Sequence, residues 1–412
     1  MRRSRAASPR RDQPECSERT GIAVVPRAKS RHTGGRNVRA APVRGRAGRY
    51  GCKDLIFVKK LKGVEAARGI AAVLVVLLHA SDMLSSAKYF GTPPFGGAFR
   101  FAHAGVDFFF VLSGFIIYHI HRQDVGHPGR VGTYAWKRFA RIFPTYWVVL
   151  AGLGFILIFS PEKDASITSP GNIVASIFLL PRQQEPVLGV AWTLRHEVLF
   201  YGLFGVLLLN RTAGRVVLAI WAALISWNIA VFWATGAPWF QGLSGYLPFR
   251  IFNIEFFFGM GVALLLSRGP SWRPRTFLVL GTGLFFANGM LESFGPIVPI
   301  EWPPRQLAYA LGAAMALYGL VGAERAGALK VPGPLFGLGT ASYSIYLTHL
   351  IAIMILQQVL LRVRPYVPLG LDTSFLMISF IAVLGGVVFS RLVEQPLLHL
   401  LRRWPRPAAI VA

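Results

Sequence analysis

Apolar runs of roughly twenty residues recur along this chain from residue 64 onward, and nothing else in it restricts the fold as strongly. A helix rising about 1.5 Å per residue needs about 20 apolar residues to cross the hydrocarbon of a bilayer. Ten segments meet or approach that length: 64–82, 104–121, 142–160, 190–209, 215–234, 247–267, 275–291, 305–323, 343–361 and 374–397. Helices satisfy their own backbone hydrogen bonds in lipid, so the expected fold is an all-α polytopic membrane protein, a bundle of about ten transmembrane helices. Composition agrees: 53% of residues are hydrophobic and 15% charged, whereas soluble domains carry about a quarter charged residues.

The net charge of +26 invites a nucleic-acid reading, but its distribution argues against one. Residues 1–50 hold thirteen arginines and one lysine against Asp12, Glu15 and Glu18. Most of the remaining excess lies in short links between apolar runs, which is the pattern of loop charges that orients membrane proteins. The expected organisation is a basic, disordered cytoplasmic tail over 1–58, a membrane domain over 59–403 and a second cytoplasmic tail over 404–412. The tail has too little apolar surface to offset its ordering entropy. It also lacks the apolar core and small-residue cleavage site of a signal peptide. Cys16 and Cys52 both precede the first run, so neither a disulfide framework nor a metal site is indicated.

Loop charges fix the expected orientation. The tail with Lys59, Lys60 and Lys62 precedes the first span. Alternate loops then carry Arg122, Arg130, Lys137, Arg138 and Arg141, next Arg211 and Arg215, next Arg268, Arg273 and Arg275, next Arg325 and Lys330, and finally Arg402, Arg403 and Arg406. The opposite loops hold Glu162, Asp164 and Glu185, nothing charged in 235–246, then Glu292 and Glu301. Loop 362–372, with Arg362 and Arg364, is the exception. Both termini are therefore expected in the cytoplasm.

Ionisable residues within apolar runs mark functional positions by default, because lipid makes them costly. Arg68 and His79 stand eleven residues apart in VEAARGIAAVLVVLLHA. That spacing is about three helical turns, so both face one way, separated by about 16 Å along the axis. Orientation places Arg68 near the cytoplasmic side, together with Arg138 and Arg141 at the entrance to the third span. His79, Asp107, Trp192 and Glu197 fall in the outer half. Three guanidiniums at one end suit a phosphorylated ligand; the ordinary reading of Arg138 and Arg141 is as bases flanking a span. His79 near a carboxylate suits proton transfer; the ordinary reading is a histidine that packs. Glu197 has Arg195 and His196 as simple alternative partners. His349 is either functional or a core histidine bonded to Ser or Thr. Glu394 has an obvious ion-pair partner in Arg391. Ser113-Gly114 reads as close helix contact, since the glycine of a nucleophile elbow is missing two residues earlier.

Six segments occur in a characteristic order: LKGVEAARGIAAVLVVLLHA, GVDFFFVLSGFII, the R-x-x-R of Arg138 and Arg141 ahead of IFPTYW, AWTLRHEVLFY, ASYSIYLTHL and VEQPL. Together, over about residues 60–403, they resemble the bacterial membrane acyltransferase family 3, which O-acetylates O-antigens and exopolysaccharides. The resemblance implies transfer of an acyl group, usually acetyl, from acetyl-CoA or another acyl-CoA to a carbohydrate hydroxyl. The acceptor would be an exopolysaccharide, an O-antigen or a lipid-linked glycan, and the location the bacterial cytoplasmic membrane. The family's required arginine and histidine match Arg68 and His79, its R-x-x-R pair matches Arg138 and Arg141, and its Y-S-I-Y-L-x-H histidine matches His349. Its tryptophan-to-glutamate stretch maps to Trp192 and Glu197, with threonine at 193 where serine is common. On that footing the three arginines would hold coenzyme A phosphates, and His79, oriented by Glu197, would act as general base. The rival readings are a transporter of a sugar or lipid intermediate and a non-catalytic scaffold. The paired halves typical of transporters are not evident, since Arg68 and His79 have no counterpart in spans five to seven.

Overall fold

The computed structural model describes residues 61–159, 167–182, 184–236, 247–296 and 302–403, with residues 402 and 403 described by backbone alone. The N-terminal tail, both cysteines, Lys59, Lys60, Glu162, Asp164, Glu301, the side chains of Arg402 and Arg403, Arg406 and the tail over 404–412 lie outside the described residues. Among the described residues every regular element is helical. The helices are α1 (Lys62–Leu84), α2 (Ala104–His121), α3 (Val131–Ile158), the short α4 (Pro170–Ile177), α5 (Ala191–Leu209) and α6 (Arg211–Thr235). There follow α7 (Ile254–Arg268), α8 (Pro274–Phe294), α9 (Pro303–Arg325), α10 (Gly333–Val363) and α11 (Leu371–Phe389), and a π turn (Ser390–Glu394) leads into α12 (Gln395–Arg403). Among the described residues ten helical stretches are long and apolar enough to cross a membrane, as the apolar runs predict. Phe155, Ile158, Leu291 and Phe380 are exposed on their flanks, a placement that costs nothing where the surroundings are lipid.

Two helix contacts position the site. Gly69 on α1 meets Gly339 on α10, where a Cβ on Gly69 would stand 2.8 Å from the Gly339 nitrogen. Ten residues further along each helix, His79 meets His349. Equal steps on both helices mean that α1 and α10 run parallel and in register. Small residues let their backbones close up, which is how helices associate without a hydrophobic driving force. The start of α1 is held by Glu324, whose two oxygens accept the amides of Lys62 and Gly63 at 2.6 and 2.8 Å; helix-start amides lack intrahelical acceptors. In the second contact, Gly114 of α2 packs against the Phe256 carbonyl of α7, so the small residue there does serve close approach. Phe200, Phe204, Trp221 and Phe256 fill one core and Val76, Ile345, Ile353 and Phe375 another.

Three expected segments end elsewhere. Helix α3 starts at Val131, eleven residues before the apolar run at 142. Arg138 and Arg141 therefore sit inside the helix rather than ahead of it. Trp136, Phe139 and Phe143 stack along one side of this extension, with centroids 5.7 and 5.1 Å apart, and that aromatic surface carries the helix through its charged residues. Helix α10 likewise begins at Gly333, ten residues before its apolar run, because its first turns pack on α1. The last run divides at the π turn, where the Gln395 amide bonds the Ser390 carbonyl five residues back. Pro396 follows; a proline here can neither donate to the Leu392 carbonyl nor sit against it, and the wider turn relieves both problems.

Candidate active site

Arg68, Arg138 and Arg141 do converge. With Lys137 and Glu197 they line a cavity of about 630 Å³ walled by α1, α2, α3, α5, α10 and α12. That volume lies within the roughly 300–1,000 Å³ of typical ligand pockets. Each arginine is held differently. Arg68 Nη1 donates to Glu65 at 3.1 Å. Arg141 Nη1 donates to Glu394 Oε1 at 2.8 Å, and the guanidinium lies 5.1 Å from the Tyr343 ring centroid. Arg138 rests 5.9 and 5.6 Å from the rings of Tyr134 and Tyr201, and its buried Nε has no hydrogen-bond partner. Four bases line the cavity with Glu197, and Glu65 and Glu394 neutralise Arg68 and Arg141 from its edge, so the site keeps a small positive excess that suits an anion, with Arg138 Nε free of any acceptor among the described residues.

The π turn explains Glu394. By widening the helix it turns this side chain inward, to 1% exposure. Oε2 accepts from the hydroxyls of Ser344 at 2.6 Å and Ser390 at 2.9 Å, leaving Oε1 for Arg141. The partner expected from sequence, Arg391, lies three residues back on the same turn, but the turn aims Glu394 toward α3 instead.

His79 and His349 form a unit of their own. His349 Nε2 lies 3.1 Å from His79 Nδ1, and the rings are 5.0 Å apart. His349 Nδ1 faces the Ile345 carbonyl at 3.2 Å and His79 Nδ1 the Val75 carbonyl at 2.9 Å. A carbonyl only accepts, so both Nδ1 atoms carry hydrogen and His349 Nε2 offers a lone pair to His79. His79 Nε2 is then an unprotonated base, without a hydrogen bond among the described residues. Neither histidine lines the arginine cavity. They adjoin it through Tyr346, a lining residue whose ring lies 5.8 Å from that of His349.

The expected outer group of His79, Asp107 and Glu197 does not form. Glu197 accepts from Ser113 at 3.2 Å and from Tyr201, and it faces the arginines rather than His79. It pairs with neither Arg195, which donates to the Gln184 carbonyl at 2.7 Å, nor His196, which contacts Asn253 at 2.8 Å. His349 is tied to histidine and backbone rather than to Ser or Thr. Asp107 belongs to a separate buried network: the Gln306 amide donates to it and, at 2.5 Å, to Glu255. Beside it, Glu292 takes His103 at 2.8 Å, Arg305 at 2.9 Å and Tyr309 at 2.6 Å. Glu292, expected in a loop, is therefore buried in the last turn of α8. Trp192 packs on Phe252, with Arg250 5.5 Å from its ring, and stays outside the cavity.

Tyr201, Ser342 and Tyr346, which the sequence does not single out, line the cavity together with Thr193 and with Ser113, which reads from sequence as a helix contact alone. The Thr193 and Tyr346 hydroxyls are 2.7 Å apart. Part of this was readable: 342, 346 and 349 follow the spacing of one helix face.

Comparison with known proteins points one way. The profile of a family described as an acyltransferase domain matches residues 61–393. The chain is 30% identical over 325 residues to the exopolysaccharide production protein ExoZ of Rhizobium meliloti (strain 1021), covering 74% of this chain and 92% of that protein. It is 32% identical over 90 residues to protein 2 in the picA locus of Rhizobium radiobacter, covering 21% of this chain and 41% of that protein. No solved structure matches.

Proposed function

The chain belongs to acyltransferase family 3, and from that premise we propose that it is a membrane O-acyltransferase moving an acyl group, acetyl first among them, from acyl-CoA to a carbohydrate hydroxyl. The observation that carries the reading is the arginine-lined cavity with a histidine pair beside it, behind the Tyr346 ring of its wall. Forked guanidiniums match phosphate oxygens, and coenzyme A is a phosphorylated ligand with a long arm. In this reading, which the loop-charge bias supports, the arginine end faces the cytoplasm, where acyl-CoA is made, and both termini lie on that side. The acceptor approaches from the other side of the bilayer. Similarity to an exopolysaccharide production protein favours an exopolysaccharide or its lipid-linked precursor as acceptor.

In this mechanism His79 Nε2 takes the proton of the acceptor hydroxyl as its oxygen attacks the thioester carbonyl. A C–O bond forms, the C–S bond breaks, and the proton passes from His79 to the departing thiolate. The Val75 carbonyl and His349 Nε2 share the His79 Nδ1 hydrogen throughout, fixing the tautomer and stabilising the imidazolium. Glu197, with Ser113 and Tyr201, sits among the arginines and limits the local positive charge. The bilayer and the two substrates are the partners; nucleic acid has no place in the scheme.

The purified full chain in nanodiscs, given acetyl-CoA and a carbohydrate acceptor, tests the proposal. Wild type releases CoA with acceptor dependence, and His79→Ala, still inserted and folded, does not. Near-normal turnover by that variant ends this mechanism. NMR of O-acyl groups on polysaccharide from cells with and without the protein identifies the acceptor. Thermal stabilisation by acetyl-CoA is expected of this enzyme and of neither a sugar transporter nor a scaffold.

A further inference from the structure

We propose that Ser342 binds the arm of the acyl donor: its hydroxyl hydrogen-bonds an amide in the chain linking the phosphates to the thioester. This rests on the acyl-CoA reading above and names a residue to which that reading gives no task.

The starting observation is a hydroxyl without a partner. Ser342 is 1% exposed, its Oγ makes no hydrogen bond, and the residue lines the arginine cavity. The other hydroxyls on the same stretch of α10 are all engaged. Thr340 donates to the Gly337 carbonyl, Tyr343 to the Ile142 carbonyl, Ser344 to Glu394, Tyr346 to the Val190 carbonyl and Thr348 to the Ser344 carbonyl. A helical serine ordinarily bonds back to the carbonyl four residues earlier. Ser342 does not, and buried hydroxyls in native proteins almost always have a partner. The residue lines the cavity although its Oγ presents almost no surface there, so a turn about χ1 brings the hydroxyl to a ligand on that side.

The register of α1 and α10 says what that partner is. Gly69 faces Gly339 and His79 faces His349, so Arg68 lies about level with position 338. Ser342 then stands about 6 Å beyond Arg68 along the axis and about 10 Å short of His349. Positions 342, 346 and 349 share one face of α10. A ligand whose phosphates rest on the arginines and whose thioester reaches His79 must run along this face. The pantetheine arm of coenzyme A is linear and carries two amides, each with a donor and an acceptor. A serine hydroxyl complements either atom. The substrate class is thus a phosphorylated thioester with an amide-bearing arm, as opposed to a bare acyl phosphate or a nucleotide without the arm.

The test uses full-length protein in nanodiscs and two probes, acetyl-CoA and the nucleotide half of coenzyme A that lacks the arm. Ser342→Ala is expected to bind acetyl-CoA about 2- to 12-fold more weakly, the range of one neutral hydrogen bond. It should bind the nucleotide half as wild type does and unfold at the same temperature or higher. Ser342→Cys, close in size, guards against a packing artefact and should lose affinity in the same direction. Unchanged acetyl-CoA affinity in both variants overturns the proposal, the cavity hydroxyl then being satisfied by water. Equal weakening for both probes also overturns it, since the contact would not be with the arm. Arg138→Ala supplies the control on the underlying reading: it should weaken both probes. If it weakens neither, the acyl-CoA reading fails and the Ser342 proposal falls with it.

Discussion

Replacing Arg138 by alanine should separate ligand binding from folding more cleanly than any other change at this site. Among the described residues the guanidinium forms no ion pair, although Glu197 shares its cavity; it lies over Tyr134 and Tyr201 and keeps an unbonded Nε. Its removal strands no buried acid. The cost to the fold is two cation–π contacts, each about 0.5–1 kcal/mol at partly exposed sites. The cost to the ligand is larger, since a hydrogen bond to a charged group contributes about 1.5–3 kcal/mol, equivalent to roughly 10- to 150-fold in Kd. Arg138→Lys keeps the charge but not the planar fork, so it should recover only part of the loss. Titration of acetyl-CoA into purified protein, followed by calorimetry and by thermal unfolding, measures both quantities on one sample. Raising salt should narrow the gap between wild type and variant for the exposed share of the interaction. Wild-type affinity in a folded Arg138→Ala protein would refute the phosphate role of the cavity. So would a collapse of stability with no separate loss of affinity.

Other changes follow from the same geometry. Glu394→Ala deprives Arg141 of its acid and Ser344 and Ser390 of their acceptor. Breaking a buried pair costs about 3–5 kcal/mol, the lower end applying where one partner is as open as Arg141, and Glu394→Gln should cost less than half as much; unfolding in detergent measures both. His349→Ala should reduce kcat about 10²- to 10⁴-fold, the span of general acid–base effects, with little change in KM for acyl-CoA; steady-state kinetics checks the split. Gly339→Val drives a side chain into the Glu65 carbonyl. It should force α1 and α10 apart, lowering stability and abolishing turnover together, whereas Gly337→Ala, with open space beside it, should be tolerated in the same assays.

The family assignment also bears on the rival readings. A transporter or scaffold would have to explain an acyltransferase-domain match spanning residues 61–393. The buried Asp107–Gln306–Glu255 group and its neighbour around Glu292 tie α2, α7, α8 and α9 together. This places Asp107 in the framework of the bundle rather than beside His79.

Length, periodicity and loop charge alone determined that this chain makes about ten membrane-length helices, that Arg68 and His79 share a face, and that arginines gather at one end. The first two depend on position along a single helix, where 3.6 residues per turn leaves little freedom, and the third on the alternation of loop charges. Tertiary structure decided which helices are neighbours and so which partners each charge meets. Glu197 joined the arginines rather than His79, His349 took the place beside His79, and Glu394 reached Arg141 across a π turn. Linear periodicity gives depth and face, but azimuth relative to another helix depends on contacts such as Gly69 with Gly339 and Gly114 with Phe256. In lipid, where apolar surface does not discriminate between neighbours, close small-residue packing and pairing of buried polar groups select the arrangement.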